Sequence, residues 1–490
     1  MNPPRTGNPP PLIRWLEKRF SRRPPRLAFP AQASAAASDS RPLKDGATVA
    51  VVGGGLAGPV FARQLLALTR ERGPAVRVVL FDQTDCNYCA GLMTALARSS
   101  LLALCDLEVP EEVILTEIEG CIYLNSSGST VVNAEHPLVS MLRTDRFGEA
   151  GFDDALKYRI LAGMEAERER LEIIEPVTVS EIQIPRQEGS GWVGYRHQGE
   201  RRRLEADVVV MACGLRSLNR PMMNDFIAQT GYVTPKLMDA SVTEIDATEA
   251  RHNLLGKRAL IVDNLVPEAM VAIIPKRPTW ITVSSLHRRL TREDLTRLFA
   301  HPAVKRWIDL PRPASSLRCN LICPARVFTA PAKNFYGDGW LALGDLNGYG
   351  RVLKDGYFAS MVGASLAART LAFWGSSAKA LAGHYHAPLA RAFPPYDNRA
   401  GMALFYLNER LSRRRWFPPL FLEAARAEED RNPYGGLVHA GLRSLLTGAI
   451  SYRTGGLIFL AGLFHYYCLH PGQLLSHFFF GSRDSEGLLR

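Results

Sequence analysis

The sequence contains no uninterrupted apolar run of about 20 residues, the length that a helix needs to cross a membrane. It has only eight cysteines in 490 residues, too few and too scattered for the disulfide framework of a secreted scaffold. We therefore expect no ordinary transmembrane helix and a reducing compartment, which places the protein in the cytoplasm. The hydrophobic fraction of 47% and the charged fraction of 22% exclude a collagen-like or fully disordered chain.

Positive charge is in excess, but much of it lies in the first 46 residues. Residues 1–46 hold nine basic and three acidic side chains, so they contribute +6 of the net charge of +11. The rest of the chain shows no stripe of basic and aromatic residues, so we expect no nucleic-acid partner. We expect the Pro- and Arg-rich residues 1–46 to form a disordered tail. Residues 12–20 could instead form a basic amphipathic turn, and the tail also resembles an organelle transit peptide.

A short apolar stretch near the C-terminus allows two interpretations. Residues 455–464 are apolar or glycine and lie between Arg453 and His465. One interpretation is a buried helix, and the other is an apolar surface that rests on a bilayer. Residues 413–421 and 477–480 supply cations and aromatics of the kind found at membrane interfaces. The sequence therefore leaves peripheral membrane contact open.

The composition changes at residue 47, where a strand, a glycine-rich turn, a helix and a second strand follow one another. Residues 48–52 and 76–82 are continuous apolar runs, typical of strands buried on both faces of a parallel sheet. The second run ends in an acidic residue. The candidate cofactor-binding residues of this segment are Gly53, Gly54, Gly55, Leu56, Ala57, Gly58 and Asp82.

Each part of this segment has a physical role in binding a dinucleotide. Gly53 permits the tight turn, Gly55 allows a pyrophosphate to approach the backbone, and Gly58 lets the helix pack closely on the strand. The helix N-terminus offers free N–H groups to the phosphates. Asp82 can accept hydrogen bonds from the adenosine ribose. Residues 189–194 also match G-x-G-x-x-G, but their context predicts a β-hairpin, so we expect no nucleotide there.

Two later strands indicate which dinucleotide binds. Residues 204–213 form a buried run that ends at Gly214, and a third run delivers Gly344 and Asp345 ahead of Gly356 and a helix rich in small residues. Asp345 can hydrogen-bond a ribityl hydroxyl. Because NAD has no ribityl chain, the pattern favours FAD. Only one dinucleotide fingerprint has its full context, so NAD(P)H, a possible reductant, would have to approach the flavin transiently.

This order of motifs resembles the flavoproteins of the aromatic-hydroxylase fold, which include flavin monooxygenases, squalene epoxidases, halogenases and geranylgeranyl reductases. The resemblance covers roughly residues 47–385. It implies an α/β fold: a Rossmann-like FAD-binding domain over 47–385, with an antiparallel substrate-binding sheet inserted at about 230–330 and a mainly helical, aromatic-rich region over 386–490. Residues 145–147 and 152–156 look like the family's Arg and F-D-x-x-L helix, which implies that Arg146 contacts the cofactor.

Among the branches, the chain is most similar to the geranylgeranyl reductases. Cys86 and Cys89 lie just after the second strand, where those reductases often place a Cys-Gly near the flavin, which makes both residues candidates for catalysis. The chain departs from the family at Cys213, where an Asp is usual, and after Asp345, where the usual Pro is missing. Together with Cys319 and Cys323 the first pair could form a metal site, but the spacing argues against it, so we expect no metal. A redox disulfide between Cys86 and Cys89 is a further alternative.

The resemblance implies an FAD-dependent oxidoreductase. The leading hypothesis is reduction of C=C bonds in an apolar, isoprenoid or lipid-like substrate by hydride transfer from reduced flavin. The first alternative is a flavin monooxygenase that hydroxylates or epoxidises its substrate with NAD(P)H and O₂. The second is a non-catalytic, membrane-associated flavin-binding protein.

Overall fold

A computed structural model describes residues 10–21, 42–83, 91–185, 189–352, 356–432 and 434–480. The candidate residues Cys86 and Cys89 lie outside the described residues, as does most of the predicted disordered tail. Within the tail, the structure describes one helix over Pro11–Phe20.

The strands alternate between two large sheets and two small ones. In chain order they are β1 (Thr48–Val52), β2 (Arg77–Phe81), β3 (Gly91–Met93), β4 (Thr116–Asn125), β5 (Gly128–Met141), β6 (Leu171–Ile174), β7 (Thr178–Gln183), β8 (Gly191–His197), β9 (Glu200–Ala206), β10 (Val208–Met211), β11 (Lys236–Asp246), β12 (His252–Asn253), β13 (Arg258–Asp263), β14 (Met270–Arg277), β15 (Trp280–Leu286), β16 (Ile308–Asp309), β17 (Cys323–Ala330), β18 (Tyr336–Gly337) and β19 (Trp340–Ala342).

The helices become the dominant element after residue 356. The α-helices are α1 (Pro11–Phe20), α2 (Ala57–Arg72), α3 (Ala95–Cys105), α4 (Phe152–Tyr158), α5 (Pro221–Thr230), α6 (Arg292–Ala300), α7 (Pro302–Lys305), α8 (Gly356–Trp374), α9 (Ala378–Ala380), α10 (Ala387–Ala392), α11 (Pro395–Leu411), α12 (Phe417–Arg431), α13 (Leu437–Thr447), α14 (Tyr452–Leu469) and α15 (Pro471–Phe480).

The first large sheet has the strand order β18-β19-β10-β1-β2-β6, and its strands are parallel except for β18. Its central strand β1 is fully buried from Val49 to Val51, as the continuous apolar run predicts for a sheet covered on both faces. Helices α2 and α8 pack against each other beside this sheet. The expected Rossmann-like arrangement is confirmed, and it brings the carboxyl ends of β1, β2, β10 and β19 to one edge.

The second large sheet has the order β17-β11-β15-β14-β13-β4-β5-β3 and is antiparallel except for the pair β13 and β4. This confirms the expected antiparallel sheet. It draws strands from residues 236–330 and also β3, β4 and β5 from residues 91–141, which the sequence analysis did not assign to it. A smaller sheet, β7-β8-β9, contains the second G-x-G-x-x-G. That motif leads into β8 and no helix follows it, as predicted.

The expected helical C-terminal region is confirmed, and it covers the second sheet. Helices α12 and α13 pack on β5, and Phe421 of α12 contacts the ring of Tyr123 on β4 at 5.2 Å. Asn408 of α11 donates to both carboxylate oxygens of Asp263 on β13 at 3.0 Å. In the part of the chain that the structure describes, none of the helices combines the length and the apolar character that crossing a bilayer requires.

Candidate functional site

A cavity of about 480 Å³ opens at the carboxyl edge of the parallel sheet and extends to the antiparallel sheet. One side carries ten of the residues predicted from sequence, which are Gly53, Gly54, Gly55, Leu56, Ala57, Asp82, Gly214, Gly344, Asp345 and Gly356. The other side is formed by residues 240–242, 284–286 and 325–328 of β11, β15 and β17. The cavity therefore joins the predicted dinucleotide cradle to the sheet expected to bind substrate.

The glycine-rich turn leaves no room for side chains. Gly53 has a φ of +126°, and a Cβ on it would overlap with the backbone of Ala212. A Cβ on Gly54 would overlap with the carboxyl group of Asp82. Gly58 does not line the cavity, because it packs inside α2, where a Cβ would overlap with the carbonyl oxygen of Gly53. This packing role is the one the sequence assigned to Gly58.

Asp82 is held in a fixed orientation by two donors. The backbone N–H of Gly54 donates to Oδ1 at 3.2 Å, and Nζ of Lys157 donates to Oδ2 at 2.7 Å. Lys157 is fully buried and also forms an ion pair with Glu175 at 2.5 Å. Burial alone would lower the pKa of Lys157, but hydrogen bonds to Asp82 and Glu175 outweigh it and raise that pKa. A carboxylate has about four acceptor positions, so Asp82 keeps capacity to bind a ribose.

A second group of charges surrounds Asp345. Arg143 donates from Nε and Nη2 to one oxygen of Asp153, at 3.0 and 2.8 Å. Burial raises the pKa of Asp345, and the charge of Arg143 opposes that shift. Among the described residues, no hydrogen bond from another side chain reaches the carboxyl group of Asp345, which lines the cavity. It is therefore available to accept a hydrogen bond from a bound ligand, as the sequence predicts for a ribityl hydroxyl.

Of the two neighbouring arginines Arg143 and Arg146, it is Arg143 that lines the cavity. The backbone of Arg146 exchanges two hydrogen bonds of 3.0 Å with Glu149, and Phe147 adopts a left-handed conformation within this turn. The turn places the guanidinium of Arg146 over the ring of Phe147 at 5.2 Å, outside the cavity lining. The F-D-x-x-L helix is present as α4, but its Asp153 pairs with Arg143, which lies three residues before Arg146.

Two further residues of the lining were missed from sequence. Tyr357 follows Gly356 at the start of α8, and its buried hydroxyl has no hydrogen-bond partner among the described residues. Burial is the largest cause that raises the pKa of Tyr357, and the negative charge of Asp153 raises this pKa further. Arg351 lies between the Gly-Asp pair and α8 and is 2% exposed. The only sequence signal for either residue was its position next to a recognised motif.

The cysteine predictions stay open. Cys213 lines the cavity, and burial raises the pKa of its thiol. Cys86 and Cys89 lie outside the described residues, and the described residues on either side of them are Gln83, which lines the cavity, and Gly91. A Cβ on Gly91 would lie 2.8 Å from Oη of Tyr357.

The residues present fit a flavin dinucleotide. A glycine cradle that excludes Cβ atoms lies before the N-terminus of α2, where free N–H groups favour phosphates. Asp82 lies at the end of β2, as a ribose requires. Asp345 and Gly356 come from a distant part of the chain and line the same cavity. One long ligand can therefore contact the glycine cradle, Asp82 and Asp345.

Comparison with known proteins gives similarity in structure only. No protein-family model matches the sequence, and no curated protein matches it significantly. Among solved structures, a geranylgeranyl bacteriochlorophyll reductase-like protein from Thermoplasma acidophilum is similar with a TM-score of 0.54 and 14% identity, over 76% of this chain and 88% of that one. The flavin-dependent brominase Bmp2 has a TM-score of 0.52 and 16% identity, over 85% and 98% of the two chains.

An oxygenase has a similar fold as well. A variant of 2-methyl-3-hydroxypyridine-5-carboxylic acid oxygenase has a TM-score of 0.51 and 15% identity, over 83% of this chain and all of that one. At sequence identities this low, the similarity supports a shared fold but does not establish a shared reaction. The chain therefore has the fold shared by these reductase-like, halogenating and oxygenating flavoproteins, in agreement with the resemblance found in its sequence.

Proposed function

We propose that this protein is an FAD-dependent oxidoreductase that reduces C=C bonds of an apolar, isoprenoid or lipid-like substrate. The observation that supports it is the cavity that joins the glycine cradle and Asp345 to the surface of the antiparallel sheet. A substrate lying on the sheet side would reach the region that the redox group of a cofactor would occupy. The apolar residues Ala240, Val242, Leu286, Val327 and Phe328 on that side suit a hydrocarbon chain.

The roles of the residues follow from their positions. The turn of Gly53–Gly55 and the start of α2 would hold the pyrophosphate, Asp82 the ribose, and Asp345 the ribityl chain. When bound and reduced, FAD supplies a hydride equivalent to the substrate carbon. NAD(P)H is the reductant class that we propose, and it would approach the cavity transiently.

A hydride alone does not complete the reduction of a C=C bond, because the second carbon must gain a proton. In the described lining, Tyr357 carries a buried neutral hydroxyl without a partner. We assign the proton transfer to Oη of Tyr357, which solvent water would reprotonate after each turnover.

An anaerobic assay tests the reaction. The FAD-loaded protein is supplied with NADPH and either a polyprenol or its phosphate ester, and the products are analysed by mass spectrometry. We expect NADPH to be consumed without O₂ and the product to gain two hydrogen atoms per turnover. Consumption that needs O₂, with an oxygen atom from ¹⁸O₂ in the product, would instead establish the monooxygenase. Firm FAD retention without turnover of any donor or acceptor would favour the non-catalytic alternative.

We also propose that the protein works from the cytoplasm at the surface of an anionic membrane. The exposed face of α14 carries Leu457, Leu460 and Phe464, which are 64%, 54% and 74% exposed. Helix α1 packs on the neighbouring helix α13, and its Ile13 is buried in one hydrophobic cluster with Ala440 of α13 and Ile458 of α14.

Helix α1 adds charge to this apolar face. It exposes Leu12 and Trp15 together with three cations, which are Arg14, Lys18 and Arg19. Because helix α14 contains no acidic residue, charge and apolar surface together favour an anionic bilayer over a neutral one.

Vesicle sedimentation tests this contact. We expect the protein to bind vesicles with anionic lipid and to bind neutral phosphatidylcholine vesicles weakly, since each cation near the surface contributes about 1 kcal/mol. The double substitution Leu457→Glu and Phe464→Glu should weaken binding by about tenfold or more. The control is Val233→Glu with Leu254→Glu, two exposed apolar residues away from α14 that are 48% and 47% exposed. Equal losses in both double variants would contradict the proposed surface.

A further inference from the structure

Arg351 is a buried cation for which the described part of the chain supplies no counter-ion. Its side chain is 2% exposed, and Nε, Nη1 and Nη2 have no hydrogen-bond partner among the described residues. A guanidinium group is a cation, and a buried charge is strongly unfavourable unless it is paired. Because Arg351 also lines the cavity, an anion bound there would supply the missing partner.

The surroundings hold the guanidinium in place. Its Cζ lies 4.0 Å from the centroid of the Tyr452 ring, a stacked cation–π contact. Tyr452 in turn donates from its hydroxyl to the carbonyl of Val352. Asn398 donates to the carbonyl of Gly350 at 2.8 Å and accepts from the N–H of Val352 at 3.2 Å. The residues before and after Arg351 are thus both fixed, and its donors are oriented before any ligand arrives.

Arg351 belongs to the sheet side of the cavity rather than to the dinucleotide cradle. Its neighbour Gly350 packs so closely on β17 that a Cβ there would lie 2.8 Å from Cζ of Phe328. The stacking partner Tyr452 packs in one cluster with Met238 of β11. The cradle already has its own arginine, Arg143, paired with Asp153.

We propose that Arg351 binds an anionic group, a carboxylate or a phosphate, at one end of an otherwise apolar substrate. This inference rests on the proposed function, because that proposal takes the sheet side of the cavity as the side that binds substrate. The planar guanidinium can make two parallel hydrogen bonds to either group, which fixes the direction in which the substrate lies. The apolar body would follow residues 240–242, 284–286 and 325–328. The substrate is then amphipathic, with its charged end at Arg351.

The test compares ligands that differ only in charge. The FAD-loaded protein is titrated calorimetrically with decanoate, decyl phosphate and decanol, which share one alkyl chain. We expect both anions to bind about 10- to 100-fold more tightly than decanol. In Arg351→Met the anions should lose this advantage, while decanol binds as before. The control is Arg326→Met, because Arg326 also lines the cavity but is exposed, and it should keep the preference for anions.

Thermal stability separates a binding role from a structural one. Because the buried guanidinium has no hydrogen-bond partner among the residues that the structure describes, we expect Arg351→Met without ligand to raise Tm by roughly 2 °C or more. A fall in Tm would mean that the arginine has an anionic or hydrogen-bonding partner within the chain, and it would overturn the proposal. Loss of FAD affinity in Arg351→Met, with the preference for decanoate intact, would also overturn it, because the anion would then be the cofactor's.

The binding measurement does not depend on turnover. Selective binding of decanoate through Arg351 in a protein that reduces no polyprenol would refute the proposed reaction and leave the anion subsite standing. Reduction of a polyprenol by a protein with no preference for anions would support the proposed reaction and refute the anion subsite.

Discussion

Replacing Gly54 by alanine should lower the affinity for FAD by about 100-fold while the protein stays folded. The new Cβ would overlap with the carboxyl group of Asp82, and Asp82 cannot move freely because Lys157 holds its other oxygen at 2.7 Å. Displacing Asp82 would remove the charge-assisted hydrogen bonds that we expect it to make to the ribose, worth about 1.5–3 kcal/mol in total. Quenching of flavin fluorescence during titration with FAD gives the dissociation constant.

The chain offers a matched control in its second G-x-G-x-x-G. Gly189 has an ordinary φ, and a Cβ on it would meet open space, with no atom within 4 Å. Gly189→Ala should therefore bind FAD as the native protein does, although Gly189, like Gly53, is the first glycine of a G-x-G-x-x-G pattern. If both variants bind FAD equally well, the cradle at residues 53–58 is not the dinucleotide site.

The dinucleotide cradle was predictable because its determinants are local in sequence. Gly53, Asp82 and Asp345 each directly follow an apolar run, and the carboxyl ends of parallel strands must meet at one edge of a sheet. The same logic brought Gly214 and Gly356 to the cavity, where the structure has them. For these residues, the order of strands and helices along the chain was sufficient information.

The rest of the site depends on contacts that no short pattern encodes. Arg143 and Arg146 are three residues apart, yet only the first of the two lines the cavity, and Phe147 beside the second has a left-handed backbone conformation. Lys157 reaches Asp82 across 75 residues of sequence. Among the described residues Arg351 has no hydrogen-bond partner, and this depends on all of the residues that pack around it. The second sheet was incompletely predicted for the same reason: β3, β4 and β5 pair with one another, and only the pairing of β4 with β13 joins them to strands far away in the chain.

Tyr357→Phe should lower the turnover number by about 100- to 10,000-fold, the range that a positioned proton donor contributes. The ring packs edge-to-face on Phe152 at 5.6 Å, and phenylalanine keeps that contact, so the variant should fold. Burial and the negative charges of Asp153 and Asp345 raise the pKa of Tyr357, so the hydroxyl is protonated at neutral pH and can donate. The measurement is the rate of polyprenol reduction by FAD-loaded protein under single-turnover conditions.

Two readouts distinguish proton donation from a structural role. Tyr357→Phe should leave FAD affinity and the rate of flavin reduction by NADPH unchanged, because neither step uses the proton on Oη. Tyr385→Phe is the matched control: its buried hydroxyl donates to the carbonyl of Ala342 at 2.8 Å and lies outside the cavity lining. That variant should lose stability and keep its turnover, since it leaves a buried acceptor unpaired. If Tyr357→Phe turns over at the native rate, another acid or water protonates the substrate.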